Sequence, residues 1–160
     1  MKNALLIIDV QKYFIEDSTK HIPKKIEEYV SKNKDKFDLI IIQKFNNNEN
    51  TPFYKMGWKN MMTSPETDLC LDIDTEHKEF VRSCRSCLRD EEFKKFLEDN
   101  QVGELFLCGL NTDECIISTA FDACDLGYFI NVIKNLCASY NGKDFHDAAM
   151  KLLEEQFEIV

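Results

Sequence analysis

Short, wholly apolar runs punctuate this chain, and segments of helical spacing lie between them. Ala4-Leu5-Leu6-Ile7-Ile8 is apolar at every position and ends at Asp9. A run without alternation suits a strand buried on both faces. Leu39-Ile40-Ile41-Ile42 reads the same way, as does Glu104-Leu105-Phe106-Leu107-Cys108, which runs into Gly109. Glu79-Phe80-Val81 predicts a weaker strand, Tyr128 to Ile133 a fifth, and Phe157 to Val160 a short sixth. Four segments have helical spacing. His21 to Lys34 repeats Ile22, Ile26, Tyr29 and Val30, and Asp90 to Asp99 aligns Phe93, Phe96 and Leu97. Thr112 to Leu126 aligns Ile116, Ile117, Ala120, Phe121 and Cys124 and stops at Gly127; Asp144 to Gln156 is the last helix.

Strands alternating with helices predict an α/β fold: a mostly parallel sheet of about six strands in a three-layer, Rossmann-like sandwich, with residues 1–160 as one domain. In such sheets ligands bind outside the carboxyl ends of the strands. Asp9, Lys44, Arg82 and Gly109 lie at or just past those ends, so Asp9, Arg82 and Cys115 can converge although they are far apart in sequence. One stretch breaks the alternation. Asn46-Asn47-Asn48-Glu49-Asn50-Thr51-Pro52 is polar and leads into Phe53 to Met62, rich in aromatic residues and Met. It reads as an excursion with its own packing, because Phe53, Tyr54, Trp58 and Met61 need an apolar partner.

Charge narrows the function. With 20 basic and 29 acidic residues the formal net charge is −9, which argues against a nucleic-acid partner. No apolar run approaches the roughly 20 residues that cross a bilayer, and the opening residues lack a secretory pattern, so a cytoplasmic protein without a membrane partner is expected. Seven Cys, an odd number scattered through apolar runs such as those around Cys108, Cys124 and Cys137, predict reduced thiols rather than a disulfide framework. Cys84 and Cys87 form a C-x-x-C, but no second pair follows and His21, His77 and His146 are scattered, so no metal site and no cofactor are expected.

Cys115 carries the most chemistry. It follows Gly109-Leu110-Asn111-Thr112-Asp113-Glu114, a turn between a strand and a helix. With Asn111 or Thr112 as N-cap it falls in the first turn, where the dipole and free N–H groups favour a thiolate and can hold an oxyanion; on position alone it equally suits one more buried thiol among the seven. Asp9, at the edge of a low-dielectric region, suits a proton shuttle; it also suits a simple turn cap. Arg82 can hold an anion or support a thiolate, but composition alone favours a surface Arg paired with one of the many acids. Phe14, Phe45, Phe53 and Trp58 can line a pocket for a flat or apolar substrate, or serve as core.

Taken together these residues resemble the isochorismatase-like cysteine hydrolase superfamily, which includes nicotinamidases and N-carbamoylsarcosine amidase. Ala4 to Phe14 is similar to the family's opening strand with its Asp, Val-Gln pair and aromatic residue. Gly109 to Cys115 is similar to its nucleophile turn, and Ser118-Thr119-Ala120-Phe121-Asp122-Ala123 with Gly127-Tyr128 to the helix that follows. The resemblance implies a triad: Cys115 as nucleophile, Asp9 as general base and, at the position of the family's Lys, Arg82. It also implies a cis Leu110–Asn111 peptide and an oxyanion hole from the N–H groups of Asn111 and Cys115. The substrate is then a small molecule whose amide or related C–N bond is cleaved through a thioester.

The chain departs from the family at three places. Arg82 keeps the Lys charge, but its planar fork can grip Asp9 through two bonds and weaken it as a base. Leu88 stands where the family has Phe. The Asp-x-His segment of metal-containing nicotinamidases is matched by Gln43-Lys44-Phe45-Asn46-Asn47-Asn48, with no His. A nicotinamidase proper is therefore not expected, and a catalytically degenerate member that binds a small molecule or protein stays open as the alternative. A thiol redox sensor using Cys115, or Cys84 and Cys87, is a third reading. Family members are commonly oligomeric, so a dimer or larger is expected.

Overall fold

Ala4 to Ile8 are each fully buried, and since successive strand residues point to opposite faces, both faces of this strand are covered. In the computed structural model, which describes residues 1–160, it forms β1 (Lys2–Ile8). The other strands are β2 (Leu39–Phe45), β3 (Lys78–Arg82), β4 (Val102–Leu110), β5 (Phe129–Ala138) and β6 (Glu158–Ile159). They form one sheet in the order β3-β2-β1-β4-β5-β6, and every pair is parallel. Leu6 of β1 pairs with Ile41 on one side and Leu107 on the other. The chain therefore leaves β1 in one direction and later returns to its other side, which opens a crevice beyond the ends of β1 and β4.

Five helices complete the α/β fold. On α1 (Ile22–Asn33), Ile22, Ile26 and Val30 form the buried stripe, four residues apart. On α3 (Glu91–Asp99), Asp90 caps the start by accepting from the Glu92 N–H at 3.0 Å, and Phe93 and Leu97 are buried. Phe80 packs between Phe93 and Phe96, with centroids 5.2 and 5.1 Å away, and this holds the edge strand β3 on the core. α5 (Lys143–Glu154) buries Ala149, Met150 and Leu153.

The fourth helix corrects one expectation. α4 (Ile117–Asp125) faces the core with Ala120 and Ala123, seven residues on from Ile116, while Phe121 is 40% exposed and Cys124 is exposed. The helix is rotated so that small residues meet the sheet. It stops where expected. Gly127, at φ +92°, lets the Tyr128 N–H reach the Ala123 carbonyl and the Gly127 N–H the Cys124 carbonyl.

The excursion after β2 is fastened by side-chain amides. Asn47 donates to the Trp58 and Asn60 carbonyls at 2.9 and 3.0 Å and accepts from the Thr51 hydroxyl at 2.5 Å. Thr51 also caps the short α2 (Pro52–Lys55), accepting from the Tyr54 N–H at 3.1 Å. Gln11, fully buried, donates to the Phe45 and Thr67 carbonyls, both at 2.9 Å, and accepts from the Phe45 N–H at 2.8 Å. These bonds replace ladder contacts that an irregular segment cannot make, and they bring Phe53 and Trp58 over the crevice.

Candidate functional site

Three segments meet at the crevice, and each has a local reason for its shape. Asp9 ends β1 with φ at 52°, and its N–H donates to the Gln43 carbonyl of β2 at 2.9 Å. Gly109 in β4 lies so close to β1 that an added Cβ would meet the Ile8 carbonyl oxygen at 2.1 Å. The missing side chain lets the ends of the two strands approach. Arg82 ends β3 and reaches across β2 to Asp9. Its Nη1 and Nη2 donate to the two Asp9 carboxylate oxygens at 2.7 and 2.8 Å, and both side chains are almost wholly buried. The guanidinium also donates from Nη2 (2.9 Å) and Nε (3.3 Å) to the Arg85 carbonyl.

Beyond β4 the Leu110–Asn111 peptide is cis. Residues Thr112–Ile116 then form a wide π-helical turn, closed by the Ile116 N–H on the Asn111 carbonyl at 3.1 Å. Side chains fasten it from three directions. Asn111 accepts from the Tyr140 N–H at 3.1 Å and donates to Glu114 at 3.2 Å, and the Thr112 hydroxyl lies 2.8 Å from Nδ1 of His146 on α5. The Asn111 N–H donates to no group within the protein.

Cys115 sits in this turn beside Asp9 and Arg82, and is 6% exposed. Burial pushes its thiol well above the usual range, and the Asp9 carboxylate pushes it further; the Arg82 charge works against both. This corrects the expectation that the helix start lowers it. The turn is buried, and the nearest cation already neutralises Asp9. The thiol is therefore protonated at neutral pH. Alkylation of Cys115 by iodoacetamide is expected to rise about tenfold per unit from about pH 6 to pH 9, because the thiolate fraction does so below the pKa. Peptide mass spectrometry reads it, and a plateau reached by about pH 7 contradicts it.

A cavity of about 250 Å³ opens onto Cys115. Phe14, Phe45, Phe53 and Trp58 all line it. Phe53 stands edge-on to Phe45 and Trp58, with centroids 5.6 and 6.0 Å away. The remaining lining residues, Met56, Arg85, Glu114 and Tyr140, were not singled out from the sequence. Tyr140 follows the carboxyl end of β5, and Glu114 adjoins Cys115, so both carried a positional signal. Lys44 pairs with Glu79 at 2.6 Å and does not line the cavity.

Cys84 and Cys87 are free thiols. Cys87 is buried and its pKa is pushed up to about 11 by that burial, with the Arg82 charge opposing; burial likewise raises Cys84. No group of three or more His, Cys, Asp or Glu side chains is placed to hold a metal ion. No helix is long and apolar enough to cross a membrane.

The sheet order and the crevice residues define an isochorismatase-like α/β hydrolase fold. The chain belongs to that family: the Isochorismatase domain matches residues 3–160. It is similar to a solved pyrazinamidase/nicotinamidase from Streptococcus mutans, with a TM-score of 0.86 at 23% identity over 99% of each chain. It is also similar to nicotinamidase PncA from Bacillus subtilis, with a TM-score of 0.87 at 19% identity over 100% of this chain and 99% of that one. Among curated proteins, the Escherichia coli nicotinamidase is 44% identical over 46 residues, 29% of this chain and 22% of that protein. Isochorismatase domain-containing protein 2 of Xenopus laevis is 31% identical over 67 residues, 42% of this chain and 33% of that protein. The chain thus matches a third or less of the length of these curated relatives.

Proposed function

We propose that this hydrolase cleaves a small amide or related C–N bond, with Cys115 as nucleophile and Asp9 as base. The observation that carries the reading is the junction of a buried thiol, a carboxylate and an arginine at the floor of an aromatic cavity. Asp9 takes the thiol proton as sulfur attacks the carbonyl carbon. The negative charge moves to the carbonyl oxygen, where the N–H groups of Asn111 and Cys115 are the candidate donors. The C–N bond breaks, Asp9 returns the proton to the leaving nitrogen, and a thioester remains. Water then attacks the thioester, giving a proton to Asp9; the C–S bond breaks, the carboxylic acid departs, and Asp9 returns the proton to the Cys115 sulfur. Arg82 holds Asp9 in place and offsets the charge of the thiolate.

The raised thiol pKa fits a mechanism in which proton removal accompanies attack, rather than a standing thiolate. Nicotinamidases among the relatives favour a primary amide of a compact ring as the starting substrate. The test is ammonia release from a panel of small primary amides, with Cys115→Ala as control. No release from any of them, or equal release from the control, overturns the reading.

One observation favours a second reading, a binding module without turnover: both Asp9 oxygens are occupied by the Arg82 fork. Replacement of Arg82 by Lys, treated in the Discussion, separates the two.

A further inference from the structure

The cavity wall carries a cation that no acid and no hydrogen-bond acceptor of the protein engages. The chain has three arginines: Arg82, Arg85 and Arg89. Arg82 is held by Asp9, and Arg89 by Asp122 at 2.8 and 2.9 Å. Arg85 makes neither a salt bridge nor a side-chain hydrogen bond, although the chain carries 29 acidic residues. Its guanidinium instead lies over the Phe53 ring, with Cζ 4.7 Å from the centroid, in the wall of the cavity that ends at Cys115.

We propose that Arg85 sets substrate specificity by gripping a carboxylate on the acyl part of the substrate, which is then a compact, flat amide bearing an anionic substituent. The inference rests on the amidase reading of the same cavity.

Three features support it. Phe53 is braced edge-on by Phe45 and Trp58, so the ring occupies one face of the guanidinium and leaves its N–H edges free. That edge is a planar fork matched to a carboxylate. The main chain of Arg85 is also fixed relative to the reacting groups, because its carbonyl accepts from the guanidinium that holds Asp9. Finally, the one acid in the cavity, Glu114, is held by the Asn111 amide at 3.2 Å and not by Arg85. Its charge disfavours an anion beside it and leaves the Phe53 wall as the place for one. The aromatic walls then take the ring, and the amide carbon points to Cys115.

Trp58 is the only tryptophan and lines the cavity, so its fluorescence reports occupancy without turnover. Cys115→Ala protein is titrated with three carboxamides built on one aromatic ring: unsubstituted, with an added carboxylate, and with an added ammonium. The carboxylate ligand is expected to bind about tenfold or more tightly than the unsubstituted one, as for a charge-assisted bidentate contact. Adding Arg85→Gln brings the ratio to about one, Arg85→Lys keeps part of it, and salt reduces it. Arg85 is exposed, so these variants keep the fold. A tighter unsubstituted or ammonium ligand, no response to any ligand, or a ratio unmoved by Arg85→Gln overturns the assignment. Ammonia release by the unsubstituted chain is scored separately: its absence defeats the amidase reading, while the binding ratio alone decides the role of Arg85.

Discussion

Cys115→Ala is expected to lower kcat/KM for any amide the chain hydrolyses by about 10⁴-fold or more, since nucleophile removal in hydrolases costs at least that much. The size follows from the mechanism. Without the thiol no thioester forms, and what remains is binding and the polarity of the turn. The fold is expected to survive. Cys115 is one buried side chain in a turn fastened by Asn111, Thr112 and Ile116, and none of those bonds uses its sulfur. Shortening a small side chain costs about 1 kcal/mol, or about 2–4 °C in Tm for a chain of this size. Ammonia release and a thermal melt, run on the same sample, check both halves. Activity retained above about 1% of the original sinks the nucleophile assignment.

Arg82→Met has the opposite profile: a large loss of stability. It strands the Asp9 carboxylate, fully buried, without the two guanidinium bonds that compensate its charge. Breaking one partner of a buried pair costs about 3–5 kcal/mol. At about 2–4 °C per kcal/mol, the melt falls by about 6–20 °C. The double replacement Asp9→Leu with Arg82→Met removes both charges and is expected to recover most of that loss. A single variant that melts within about 2 °C of the original contradicts the account. Arg82→Lys keeps the charge but supplies a point donor in place of the fork, and frees one Asp9 oxygen. If the fork restrains Asp9, hydrolysis rises in this variant. If hydrolysis falls, the natural Arg82 is a working part of the site.

The sequence carried the strands and the meeting of Asp9, Arg82 and Cys115, for simple reasons. Unbroken apolar runs have one solution in a parallel sheet, and the ends of those runs lie side by side whatever the loops do. It failed where a side chain's surroundings come from distant segments. Cys124 and Phe121 fit a helical stripe on paper, but Ala120 and Ala123 fit the sheet more closely and turned them outward. A helix start points to a lowered Cys115 pKa, but that local signal is weaker than the burial imposed by the rest of the chain. The Asn47 and Gln11 ties, and the seating of Arg85 on Phe53, join residues 11 to 56 positions apart or held by no periodic pattern.

The order of the strands also constrains how this molecule comes to be. β1 is central, yet its two neighbours arrive at very different times: Leu6 meets Ile41 after a short stretch of synthesis, and Leu107 only after most of the chain is made. Until β4 emerges, one edge of β1 is an apolar strand with open backbone groups, the kind of surface that invites wrong pairing. Joining β1 to β4 closes a loop of about 100 residues, and contacts of such separation slow folding. The joining of the two halves of the sheet and the formation of the crevice are thus one event, because Asp9 and the Cys115 turn lie just past β1 and β4, the two strands that make that join.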